Sequence, residues 1–191
     1  IVHRASVSGM SALIDSSPVS NGVLLLSKLI STIRVQFLLL FLLMCTGIAL
    51  QVSMGFFTIE IGQYLFFVFI VSGLMVIVWA LISIFVHTLV PNLYGGIYIL
   101  LLIWLGKGGF SQLGLISYLL QFNAVPQLIF SDLNGYGSQL PGYFVAQIYW
   151  LTFGFLTLFI SYLFWKREFT FSFKNLLEMA KSRLNRSVQI G

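Results

Sequence analysis

The sequence predicts an all-α integral membrane protein, a bundle of four transmembrane helices with a cytoplasmic entry segment and a basic amphipathic tail. Three observations predict it. First, only 8% of the 191 residues are charged and 59% are hydrophobic, with a mean hydropathy of +0.99, whereas a soluble domain carries about a quarter charged residues. Second, the apolar residues fall in long charge-free runs, on the scale of the about 20 residues that cross a hydrocarbon core roughly 30 Å thick. Third, nine of the ten Lys and Arg flank these runs. Arg4, Lys28 and Arg34 precede the first, while Lys166, Arg167, Lys174, Lys181, Arg183 and Arg186 follow the last; only Lys107 lies between. So much apolar surface also excludes a disordered chain, and a basic excess that flanks apolar runs reads as membrane topology rather than nucleic-acid binding.

The chain divides into an entry segment (1–30), a transmembrane region (31–165) and a tail (166–191). The opening stretch Ile1 to Asn21 is polar and does not begin with Met. This argues against a secretory signal in the first apolar run and leads us to expect part of a longer or processed protein. Ser16 and Ser17 can satisfy backbone donors around a turn at Pro18, and Asn21 suits the N-cap of the helix that follows. The first span is expected over 35–57 and ends at Thr58-Ile59-Glu60-Ile61-Gly62, because a carboxylate in lipid is costly. A second span follows over 63–85. Pro91 then divides the apolar stretch, since proline interrupts a helix and holds the residue before it extended. A short third span runs over 92–106, with Trp104 as an interfacial anchor.

Glycines and polar residues mark 107–142 as an outer loop, with a tight turn at Asn134-Gly135. Leu113 to Phe122 within it can form a short helix at the interface or dipping into the bilayer. The last span, 143–165, has aromatic residues at both ends, Tyr149-Trp150 and Tyr162 with Trp165. In the tail, Phe169, Phe173, Leu176, Leu177, Ala180 and Leu184 recur at helical spacing with basic residues on other faces, a pattern that lies on an anionic leaflet. Four spans put both ends on one side, and the basic flanks make that side cytoplasmic. Glu60 and Asp132 then fall in outer loops as solvated acids, and His87 to Asn92 falls inside.

Motifs for chemistry are absent. The sequence has no phosphate-cradling loop, no H-E-x-x-H helix and no G-x-S-x-G elbow. His3 and His87 lack partners at metal-ligand spacing. His87 beside a Pro-Asn turn reads as an interfacial residue before it reads as a proton relay. Cys45, the single cysteine, reads as a small buried hydrophobe.

The entry segment carries a resemblance. Ser17-Pro18-Val19-Ser20 followed by Leu24-Leu25-Leu26-Ser27-Lys28 resembles the cytoplasmic coupling segment of type-two ABC exporter permeases, in which an L-L-x-x-P-V-S-like segment precedes the third of six spans. Val86-His87-Thr88-Leu89-Val90-Pro91-Asn92-Leu93-Tyr94-Gly95 is similar to a V-H-x-L-V-N-N-K-Y-x-G stretch in a bacterial subgroup often fused to a zinc aminopeptidase domain. Ser131-Asp132-Leu133-Asn134-Gly135-Tyr136-Gly137 resembles that subgroup's S-D-M-N-G-Y-G, with a Tyr-Trp pair such as Tyr149-Trp150 after it. Pro91 and Leu93 depart from the pattern, and only four of its six spans are accounted for.

The resemblance implies the later part of a six-span permease unit in the plasma membrane, moving a substrate outward on ATP hydrolysed by a partner. Asp15, Ser17, Pro18, Val19 and Lys28 would then touch the ATPase subunit, and Asp132, Asn134, Gly135 and Tyr136 would form an outer gate or partner surface. The chain itself would bind no cofactor and catalyse no reaction, ATP and Mg residing on the ATPase. The other partners would be the bilayer and a second permease half, as homodimer, heterodimer or one longer polypeptide. The competing expectation is a membrane scaffold or assembly protein with no transport cycle.

Overall fold

Helix α1 opens on Ser20, whose backbone is extended (φ −68°, ψ 150°) and whose side chain accepts from the Val23 N–H at 3.4 Å. That bond satisfies one of the donors a helix start leaves open, and α1 then runs Asn21–Ser53. Two expectations need correction. The cap is Ser20, with Asn21 the first helical residue, and the helix spans 21–53 rather than 35–57. The apolar run marks what can lie in lipid, whereas the backbone ladder continues through Lys28 and Arg34, neither of which breaks it.

The structure, a computed structural model, describes residues 19–90, 92–112, 121–131, 135–137 and 139–165, with the backbone alone over 107–112. Asp15, Ser17, Pro18, Pro91, Asp132 and Asn134 lie outside the described residues, as do most of the expected 113–122 helix and the whole basic tail.

Gly55 stops α1. It adopts φ +85°, its N–H reaches the Val52 carbonyl at 3.0 Å, and the Phe56 N–H reaches the Gln51 carbonyl at 3.2 Å. This paired closure satisfies the last carbonyls and needs a left-handed residue, which glycine supplies without a Cβ clash.

Helix α2 (Ile61–Leu89) is 29 residues long and is interrupted by a π-helical stretch, Phe66–Ser72. Each π turn takes an extra residue, which re-phases the stripe facing the neighbours. At its end Val90 turns extended (φ −104°, ψ 114°), the geometry imposed on a residue before proline. Asn92 then opens α3 (Leu93–Gln112), its side-chain carbonyl accepting from the Tyr94 N–H at 3.1 Å. Helix α3 extends past the expected end at 106, so Trp104 lies within it rather than at its edge. Helix α4 is Gln139–Phe164.

Contacts set the directions. Leu25 and Leu29 near the start of α1 pack with Ala80, Leu81 and Ile84 of α2 and with Trp165, just past α4. Phe37 stacks on Phe69 at 6.1 Å, and the end of α1 meets the start of α2 through Tyr64 and Gln51. So α1 and α2 are antiparallel. Helices α2 and α4 run parallel: Tyr143 bonds Val71, and eleven residues on, Gly154 abuts Leu81. A Cβ at Gly154 would lie 2.7 Å from Leu81 Cδ1, so the missing side chain is what lets these helices approach.

The start of α1, the end of α2 and the end of α4 therefore share one end of the bundle. Among the described residues three helices (α1, α2 and α4) are long and apolar enough to cross a membrane, and Leu93–Gly106 is a shorter apolar stretch. Only 6% of the most apolar window of α1 is buried, against 39% for α2, so α2 is the central helix and α1 presents a broad apolar face outward. Cys45 lies on that face rather than in the core, because the core draws on α1 only at Leu25 and Leu29.

Candidate functional site

Midway along the bundle a non-helical segment enters between α2 and α4. Asn123 is fully buried in the left-handed region at φ 52°, a conformation asparagine tolerates better than most side-chain-bearing residues. Its amide donates to the Met75 carbonyl at 3.0 Å. The next residue, Ala124, accepts from the Trp150 indole N–H at 3.1 Å. Phe122 sits edge-on between Trp79 (4.9 Å) and Trp150 (5.3 Å). Irregular backbone survives at such a depth only where protein covers it, and here two indole rings and a side-chain amide do so. The 107–142 stretch is thus no simple outer loop, and Trp150 is a buried internal anchor rather than an interfacial one.

Two further polar groups converge on this level. The Tyr143 hydroxyl donates to the Val71 carbonyl at 2.6 Å, inside the π-helical stretch. One turn along α4, Gln147 is fully buried, and neither its amide nitrogen nor its carbonyl oxygen has a hydrogen-bond partner among the described residues. Tyr143, Ala146, Gln147, Trp150, Gly154, Thr157 and Ser161 are the buried residues of α4, a helical stripe that packs on α2. Polarity along it decides what the interface can bind. Thr157 and Ser161 spend their hydroxyls on the Gly154 and Thr157 carbonyls of the helix itself, leaving Gln147 as the one stripe residue whose polar atoms both point into the packing unmet.

Above this level, at the end where α1 meets α2, an open cavity of about 550 Å³ is lined by Glu60, Tyr64, Phe130 and Tyr136 together with Leu43 and Val68. Tyr64 donates to the Gln51 side-chain carbonyl at 2.5 Å, and the Gln51 amide donates to the Thr58 carbonyl at 2.9 Å. This chain fixes the Tyr64 ring across the turn. Gln63 donates to the Glu60 carboxylate. Tyr136 is held between Phe130 (5.3 Å) and Phe66 (5.4 Å). The backbone of Ser131 and Gly135 exchanges two bonds, at 2.9 and 2.7 Å, with Gly135 and Gly137 both at positive φ. Of the expected Asn134-Gly135 turn, Asn134 lies outside the described residues.

Of the residues expected at an outer gate, Tyr136 lines this mouth, with Gly135 next to it in the chain, and Glu60 lines it too, exposed. At the opposite end, of the residues expected to meet an ATPase, Val19 is exposed and the Lys28 ammonium lies 4.7 Å over the Trp165 ring, a cation–π contact. His87, at the end of α2, has Nδ1 2.8 Å from the Ser83 carbonyl and its ring against Gly96. Among the described residues no three His, Cys, Asp or Glu gather as metal ligands. The sequence missed Gln51, Tyr64, Tyr143 and Gln147. Their one signal was polarity inside runs read for hydropathy alone.

No family model, curated protein or solved structure matches this chain. What the fold establishes, among the described residues, is an all-helical architecture with three helices that can cross a membrane by length and composition.

Proposed function

We propose that the chain is a membrane-spanning permease subunit of an ATP-driven ABC exporter, coupling ATP hydrolysis on a partner subunit to outward movement of a substrate. The observation that carries this reading is the placement of polar features along the bundle. The start of α1, which follows the coupling-like segment, shares one end with the end of α4. The aromatic mouth lies at the other end, and buried amides lie midway between. In this reading α3 is the remaining span, since its 20 residues give about 30 Å of helix. The tail then lies as a basic amphipathic helix on the cytoplasmic leaflet, and both ends are cytoplasmic.

Force delivered at the α1 entry passes along a 33-residue helix to the turn that borders the mouth. Transport needs two states with different contacts. The π-helical stretch of α2 is a natural place for them to differ, because a π turn exchanges with α-helical bonding by shifting one residue.

The test is co-purification with an ATP-binding-cassette subunit and measurement of its stimulated ATPase. Val19→Asp, a charge at the exposed entry, is expected to abolish most of the stimulation while leaving the membrane fold intact. Full coupling in that variant, or failure of any ATPase to co-purify, would favour the scaffold instead.

A further inference from the structure

The mouth at the Glu60 end has a chemistry of its own. Its rim carries the carboxylate of Glu60, the one acidic side chain among the described residues. The cavity is also lined by the Tyr64, Phe130 and Tyr136 rings and by the side chains of Leu43, Met44 and Val68. A lining of carboxylate, aromatic rings and aliphatic side chains is the complement of a molecule with a positive head and an apolar body. The ring faces attract a cation by their quadrupoles and the carboxylate attracts it by its charge. The aliphatic side chains take up the apolar body by burial. An anion would face the carboxylate and the negative ring faces together.

The lining is also set in advance, which lowers the ordering cost of binding. Tyr64 is tied through Gln51 to Thr58, Tyr136 is wedged between two phenylalanines, and Gln63 holds the carboxylate. The volume of about 550 Å³ is within the range of small-molecule sites.

We propose that this cavity binds amphipathic organic cations, head toward Glu60 and apolar body toward Leu43 and Val68. As a substrate site it rests on the permease reading; as a binding site it does not.

The experiment uses the full chain in lipid nanodiscs without any ATPase. The probe is radiolabelled tetraphenylphosphonium, with tetraphenylborate as its anion of matching shape and empty nanodiscs as background. Saturable binding of the cation and none of the anion is expected. Glu60→Gln, which keeps the shape and removes the charge, is expected to weaken binding about tenfold, and Tyr136→Leu by a similar factor, while Tyr136→Phe retains it. Equal binding of the two probes, or unchanged cation affinity in Glu60→Gln, overturns the proposal. Glu60 is exposed at the N-cap of α2, so its variant reads the site even if Tyr136→Leu fails to fold. Because no ATPase is present, loss of coupling removes the permease reading and leaves this result standing; absent cation binding removes this site alone.

Discussion

Gln147 shows how one side chain can be sequence-silent and physically costly. It sits in an apolar run where hydropathy averages it away, yet it is completely buried with both polar atoms unmet among the described residues. Burying an amide without partners costs about 1–3 kcal/mol, so packing alone does not favour it at this position. Replacing it with leucine, close in volume, removes that cost. Gln147→Leu is therefore expected to raise stability by about 1 kcal/mol, read as a higher thermal unfolding midpoint in detergent. A lower midpoint would show that the amide holds the α2–α4 interface together after all. Gly55 makes the opposite case. Ser53-Met54-Gly55 is a plain helix stop at the left-handed position, legible in the sequence, yet the first span was extended past it to 57 because hydropathy alone set its limit.

At the scale of an element, what hydropathy and proline could show was the number and order of the apolar helices and the division before Pro91. What they could not show was the π-helical stretch. Phe66-Phe67-Val68-Phe69-Ile70-Val71-Ser72 contains neither proline nor glycine, and its bonding partner is Tyr143, far along the chain. A contact at that separation leaves no periodic trace. The buried segment at Asn123 was hidden for the same reason, since Trp150 and Met75, which pin it, lie on other helices. If the Tyr143 hydroxyl holds the π geometry by engaging the Val71 carbonyl, Tyr143→Phe should loosen that stretch while keeping the ring packed. The expected stability loss is about 1 kcal/mol, in line with hydrogen bonds between membrane helices. Faster amide exchange confined to 66–76 is the measurement that checks it. Exchange spread evenly over α2 would mean that the π stretch is held by side-chain packing alone.

For the whole molecule, hydropathy and charge bias made a single prediction about sidedness, and the packing gives an independent reason for the same pairing of ends. Basic flanks placed the entry segment, the 87–92 turn and the tail together. In the structure Lys28 meets Trp165, a Cβ at Gly22 would lie 3.6 Å from the Tyr162 ring, and α2 hands over to α3 at that same end. Glu60 and Tyr136 line one cavity at the other. These contacts are read from the packing and not from the distribution of Lys and Arg between the two ends, so they turn sidedness into a test of both at once. With Cys45 replaced by alanine, single cysteines at Val19 and Asn92 should react with a membrane-impermeant maleimide from the cytoplasmic face only. Cysteines at Thr58 and Gly137 should react from the opposite face only. All four positions are exposed, so poor reactivity would not follow from burial in the fold. Labelling of Val19 and Asn92 from opposite faces would break the antiparallel pairing of α1 and α2 in the membrane. Labelling of all four from the same face would mean that the helices lie on the bilayer rather than cross it, which the outward apolar face of α1 argues against, since a surface helix exposes a polar side to water.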